Sequence, residues 1–273
     1  MAPVVVGDTR SHGRGACGPL PSWARDRHRL LEHRTPWRAW RQGPHVSRAR
    51  GSLTMPPFPS LGSWWTAHLQ LPGYDPIATA GPCHFDLRAA EQALILYTQT
   101  LSYPLSPWEE AIVLNLWGWR QADGRRRYAT VYAEPYRQDA LALWCATLGL
   151  LLLCTAPPRR APQVTVAYAQ VTLAAEAYMH VVAPIARTPA WTGALRPDPA
   201  RQGVVTPRGG TLTIGSDPAL APGEVLLRRE GGPPFTLAVA TRDAEPSPTV
   251  APIAAAARQA LAGETLSVLP AFV

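Results

Sequence analysis

Five positions stand where a strand-to-helix loop could do nucleotide chemistry: Arg137, Gln138, Ala140, Leu141 and Ala142. They join a β-like run ending near Glu134 to a helix-prone run beginning near Ala140. A strand-to-helix connection of this kind is a natural phosphate cradle, because backbone amides and the positive helix end converge on an anion. Hydrolysis there needs more: a lysine ammonium on the β- and γ-phosphates, a Ser or Thr hydroxyl on magnesium, and glycine where amides must close at unusual dihedrals. This chain offers Arg137, Gln138, Ala140, Leu141 and Ala142 instead. It contains no lysine at all; every one of its 26 basic residues is arginine. A guanidinium is larger and planar, and does not fit the compact ammonium position.

Other groupings offer less. His12, Cys17, His28, His33 and His45 match no zinc-module spacing. Cys17, Cys83, Cys145 and Cys154 contain no C-x-x-C pair and read as reduced thiols of a cytoplasmic protein. Asp243 and Glu245 follow a strand-like run and read as turn carboxylates rather than catalytic ones. Arg159 and Arg160 read as solvated residues after a helix.

The elements that must position these residues begin well inside the chain. The net charge of +7 belongs to residues 1–54, which hold ten arginines against Asp8, Asp26 and Glu32; beyond them, sixteen arginines balance sixteen acids. Residues 1–54 lack a sustained period and read as a disordered basic leader, or as a stretch ahead of a true start at Met55. Trp23, Trp37 and Trp40 among arginines leave single-stranded nucleic acid as an alternative role. Arginines interrupt the N-terminus throughout, so it lacks the apolar core of a secretory signal. From Asp86, a plausible N-cap, the pattern predicts a helix to about Leu101, then a second opened by Ser106-Pro107. Ala-Asp-Gly at 122–124 predicts a turn and Arg127–Glu134 a strand. A helix over 140–156, a strand over Gln163–Tyr168 and a helix over Leu173–Ile185 follow. Further strands are expected at Thr211–Ile214, Glu224–Leu227 and Phe235–Ala240, and a helix at Pro252–Ala262. Alternating strands and helices predict an α/β sandwich. The uncharged run 140–156 is near the lower length limit for a membrane span, and a small membrane-associated protein anchored there is the alternative from a different class.

Taken together, Gly73-Tyr74-Asp75-Pro76, Phe85-Asp86, Leu105-Ser106-Pro107-Trp108-Glu109, Leu116-Trp117-Gly118-Trp119 and Val131-Tyr132-Ala133-Glu134 resemble, in order and separation, the large terminase subunit of tailed phages. That family packages DNA with ATP and magnesium. The likeness covers roughly residues 70–185. It implies a P-loop-NTPase-like sandwich with a mainly parallel sheet, here a truncated domain over 55–273. The family's phosphate loop reads Arg-Lys-x-Gly-Lys-Ser, which sets Gln138, Ala140, Leu141 and Ala142 against its lysine, glycine, lysine and serine. Glu109 falls on its adenine-reading glutamine. The resemblance therefore implies a pseudo-ATPase with no ATP or magnesium expected. It also implies absence of the family's nuclease and later sheet strands, with the portal, the small terminase subunit or DNA as partners. A divergent active ATPase is the alternative within this class.

Overall fold

In a computed structural model of the chain, the described residues are 67–100, 105–135, 141–156, 161–187, 189–232, 234–242, 244–263, 265 and 267–272, all in the unit Pro56–Val273. The expected leader, its histidines and Cys17 lie outside them. So do Arg137, Gln138, Ala140, Arg159, Arg160 and Asp243.

Two helices open the described fold. Strand β1 (His84–Phe85) leads into α1 (Leu87–Thr100), whose first turn is tied by the Ala89 amide donating to Asp86 Oδ1 at 3.0 Å. Helix α2 (Pro107–Gly118) starts with proline at a position whose amide would have no helical partner. It runs directly into β2 (Trp119–Arg120), which pairs antiparallel with β1. The remaining elements are β3 (Thr130–Glu134), α3 (Leu141–Cys154), β4 (Gln163–Tyr168), α4 (Val171–Arg187), α5 (Pro189–Thr192), β5 (Arg196–Asp198), β6 (Gly203–Val205), β7 (Thr211–Ser216), β8 (Val225–Glu230), β9 (Phe235–Val239), α6 (Ala251–Leu261) and β10 (Val268–Phe272).

The main sheet has eight strands in the order β10-β3-β9-β8-β4-β7-β6-β5. The α/β class holds, and strand direction follows the expectation for most strands, with β8 and β6 reversed. Because each reversed strand spoils two pairings, the β10–β3, β3–β9 and β4–β7 pairs are parallel and the rest antiparallel. The sheet is therefore mixed, with six of its eight strands running the same way. It also extends past the strands expected from sequence, with β10 adding an edge beside β3. Both edge strands carry a proline, Pro270 in β10 and Pro197 in β5. Proline removes a ladder donor and is tolerated at edges, where it also blunts pairing with another chain.

Alternation along the strands divides the core in two. Val131 and Ala133 of β3, Val164 and Val166 of β4, and Leu237 and Val239 of β9 face α3 and α4. Tyr132 and Ala238 point the other way, onto Ala254, Ala257 and Ala260 of α6. Helix α3 is uncharged and apolar all round, and a helix of that kind is stable only when covered. It is buried from Trp144 to Leu153, and Gly149 lets its backbone approach the sheet: a Cβ there would meet Leu212 and Val166 at 2.9 Å. At fourteen residues within this core, α3 accounts for the apolar run without a bilayer. Among the described residues no helix is long and apolar enough to cross a membrane.

Candidate functional site

The strand order defines a crevice. Neighbouring strands β3 and β9 are parallel, yet β3 continues into α3 on one face of the sheet and β9 into α6 on the other. Connections that leave adjacent strands in opposite directions open a gap outside the strands' carboxyl ends, where open α/β sheets bind ligands. Strand β3 ends at this switch point. Leu141 and Ala142 open the first turn of α3.

Glu109 is brought to the same end of α3. Trp108 packs on Trp144 with ring centroids 5.4 Å apart. The Cys145 thiol is pushed well above its ordinary value, by burial first and then by the charge of Glu109. Glu109 itself is buried and engaged: its Oε2 accepts from the Ser106 amide at 2.7 Å and from the Ser106 hydroxyl at 2.8 Å. This is the reciprocal cap of a Ser-x-x-Glu helix start, which satisfies an otherwise orphaned amide. The carboxylate thus serves as the cap of α2.

Three groups at the crevice were not singled out from sequence. Tyr132 and Glu134, two residues apart and thus on one face of β3, form a phenol-to-carboxylate hydrogen bond of 2.6 Å. Burial raises the Tyr132 phenol above its ordinary value, and Glu134 raises it further. Glu224, also buried, accepts from the Ala221 amide through Oε2 and from the Ser247 amide through Oε1, each at 2.8 Å. It pins the segment after β9 to the start of β8. Of the acids expected after β9, Glu245 is exposed. The Ser-x-x-Glu spacing was the one available signal for Glu109 as a cap. Glu224 and the Tyr132–Glu134 pair depend on tertiary placement.

The described crevice thus holds carboxylates already engaged by amides, a hydroxyl and a phenol. Leu141 and Ala142 supply neither the ammonium nor the hydroxyl that triphosphate hydrolysis uses. Among the described residues no group of three His, Cys, Asp or Glu is placed to hold a metal ion. A scan of family models and searches of curated proteins and of solved structures find no match to the chain.

Proposed function

We propose that this chain is a degenerate relative of the tailed-phage terminase large subunit, keeping the frame of the packaging ATPase without its hydrolysis. The observation that carries this reading is the β3–α3 unit. Strand β3 ends at the switch point of the sheet, as the strand before a phosphate loop does, and α3, buried from Trp144 to Leu153, begins with Leu141 and Ala142. An apolar side chain at the ammonium position removes the charge that stabilises phosphoryl transfer. Glu109, on the family's adenine-reading position, serves as a helix cap instead. Such a pseudo-motor acts through surfaces, with a portal, a small terminase subunit or DNA as the partners that the resemblance implies, and with neither ATP nor magnesium as cofactor. Its expected place is the cytoplasm.

Titration with a fluorescent ATP analogue and magnesium tests the reading. The proposal expects no saturable binding. Micromolar, magnesium-dependent binding that Arg137→Ala abolishes would replace it with a divergent, active ATPase.

A further inference from the structure

A second concavity lies at the opposite end of the parallel strands, where β3 and β4 begin. It measures about 570 Å³ and is walled by α1, the hairpin turn at 120–126, the end of α3 and β8. This size is in the range of small-ligand pockets. Its floor is apolar, with Ala93 and Leu96 of α1, while Arg120, Arg125, Arg126 and Arg229 rim it.

The hairpin builds the cluster. Gly124, with φ +79°, closes a turn in which the Gln121 amide donates to the Arg125 carbonyl at 2.8 Å. The turn sets Arg120 directly opposite Arg126 in an antiparallel bridge. Like charges facing one another across strands are destabilising, and Arg229 adds a third from β8. Asp123, the carboxylate lining the groove, is committed to Arg125: its Oδ2 lies 3.3 Å from Arg125 Nε, and its Oδ1 accepts the Arg125 amide. The Arg126 guanidinium stacks 4.6 Å from the centre of the Trp117 ring. Its Nη2 donates to Thr155 Oγ at 3.3 Å, while its Nη1 is buried and finds no hydrogen-bond acceptor among the described residues. Burial, then the charges of Arg229 and Arg120, push this group down to about 9. Guanidinium keeps its proton in proteins, so that displacement expresses how closely burial and two neighbouring guanidinium groups press on Arg126.

We propose that this groove is a phosphate site, taking free phosphate or a phosphate monoester of mononucleotide size. Three guanidinium groups, two from the hairpin and one from β8, suit a tetrahedral oxyanion, which offers acceptors in several directions; a planar carboxylate is matched by one fork. The site is separate from the crevice at the carboxyl ends of β3 and β9, and stands whether or not the chain is terminase-like.

The test is calorimetric titration of the full chain, in EDTA, with inorganic phosphate and separately with AMP. Saturable binding is expected, weakened about ten- to a hundredfold by Arg120→Gln and by Arg229→Gln, as for loss of one charge-assisted bond. Arg242→Gln, an exposed position after β9, should bind like the parent. AMP binding at least tenfold tighter than phosphate identifies an ester as the ligand, and equal binding identifies phosphate itself. Absence of binding at millimolar phosphate and AMP overturns the proposal, as does parental affinity in folded Arg120→Gln and Arg229→Gln variants.

Discussion

Replacing Arg127 by methionine should unfasten the segment ahead of the first helix. Arg127 is 1% exposed, yet it carries a charge into the core. Its Nη1 donates to the Pro76 carbonyl at 2.7 Å, and its Nη2 reaches the Tyr74 hydroxyl at 3.3 Å, Thr79 Oγ at 3.0 Å and the Thr79 carbonyl. It also lies over the rings of Trp119 and Tyr128, at 5.5 and 4.7 Å. Methionine fills the stem but leaves those acceptors in a dry site. Hydrogen bonds to a charged donor contribute about 1.5–3 kcal/mol each, less than additively when they share one group. Removing one partner of a buried charged network costs about 3–5 kcal/mol, which we take as the expected loss. For a folded unit of this size, roughly 2–4 °C per kcal/mol translates that into a fall in Tm of about 6–20 °C. Thermal and urea unfolding followed by circular dichroism measure it. Hydrogen exchange adds a local reading: the Thr79 and Ala80 amides, bonded to the Asp75 and Ile77 carbonyls, should lose protection first. A fall in Tm below about 3 °C with unchanged exchange at these amides would refute the lock.

Three other outcomes follow from single contacts. Gly118→Ala drives a Cβ into the ring of Phe85, itself packed edge-on to Trp119, so the unfolding free energy from urea titration should drop by about 1–3 kcal/mol despite alanine's helix preference; an unchanged value would mean the ring gives way. Glu109→Ala, which strips the cap from Ser106, should cost about 1–2 kcal/mol, whereas Glu109→Gln still accepts from that amide and should cost less than half as much; equal losses would assign the effect to charge rather than capping. Burial and then Arg187 hold the His180 imidazole below its ordinary value. The unfolded chain therefore takes up a proton that the fold resists, so this contribution is intact above pH 6.5 and is lost as pH falls below it. His180→Gln should flatten the decline of the urea midpoint between pH 7 and 5, and an identical decline would sink this assignment.

Local chemistry was the legible part of the chain. Strand β4 was read to the residue because Val164, Thr165, Val166 and Tyr168 form a compact run of strand-favouring residues. The starts of α1 and α2 announced themselves through Asp86 and Ser106-Pro107. Strand β10 was missed because Pro270 at its centre argues against a strand, and only its edge position makes that proline tolerable. The reversal of β8 is a property of connections, invisible in a six-residue pattern. Distance in sequence hid the rest. Arg127 finds its acceptors some fifty residues upstream, and Glu224 bonds Ser247 from 23 residues away. The Asp123-Gly124 turn was visible, but Arg229, which completes the groove, comes from β8, far along the chain.

The central claim is that a nucleotide-binding frame persists around a site that has lost its chemistry. Restoring that chemistry tests it most directly, with Gln138→Lys, Ala140→Gly, Leu141→Lys and Ala142→Ser combined in one variant. With the fold verified by circular dichroism, magnesium-ATP binding by the variant should appear in the ~1 µM–1 mM range of ordinary substrate sites, while the parent chain shows none. A folded variant that binds magnesium-ATP no better than its parent would contradict the account.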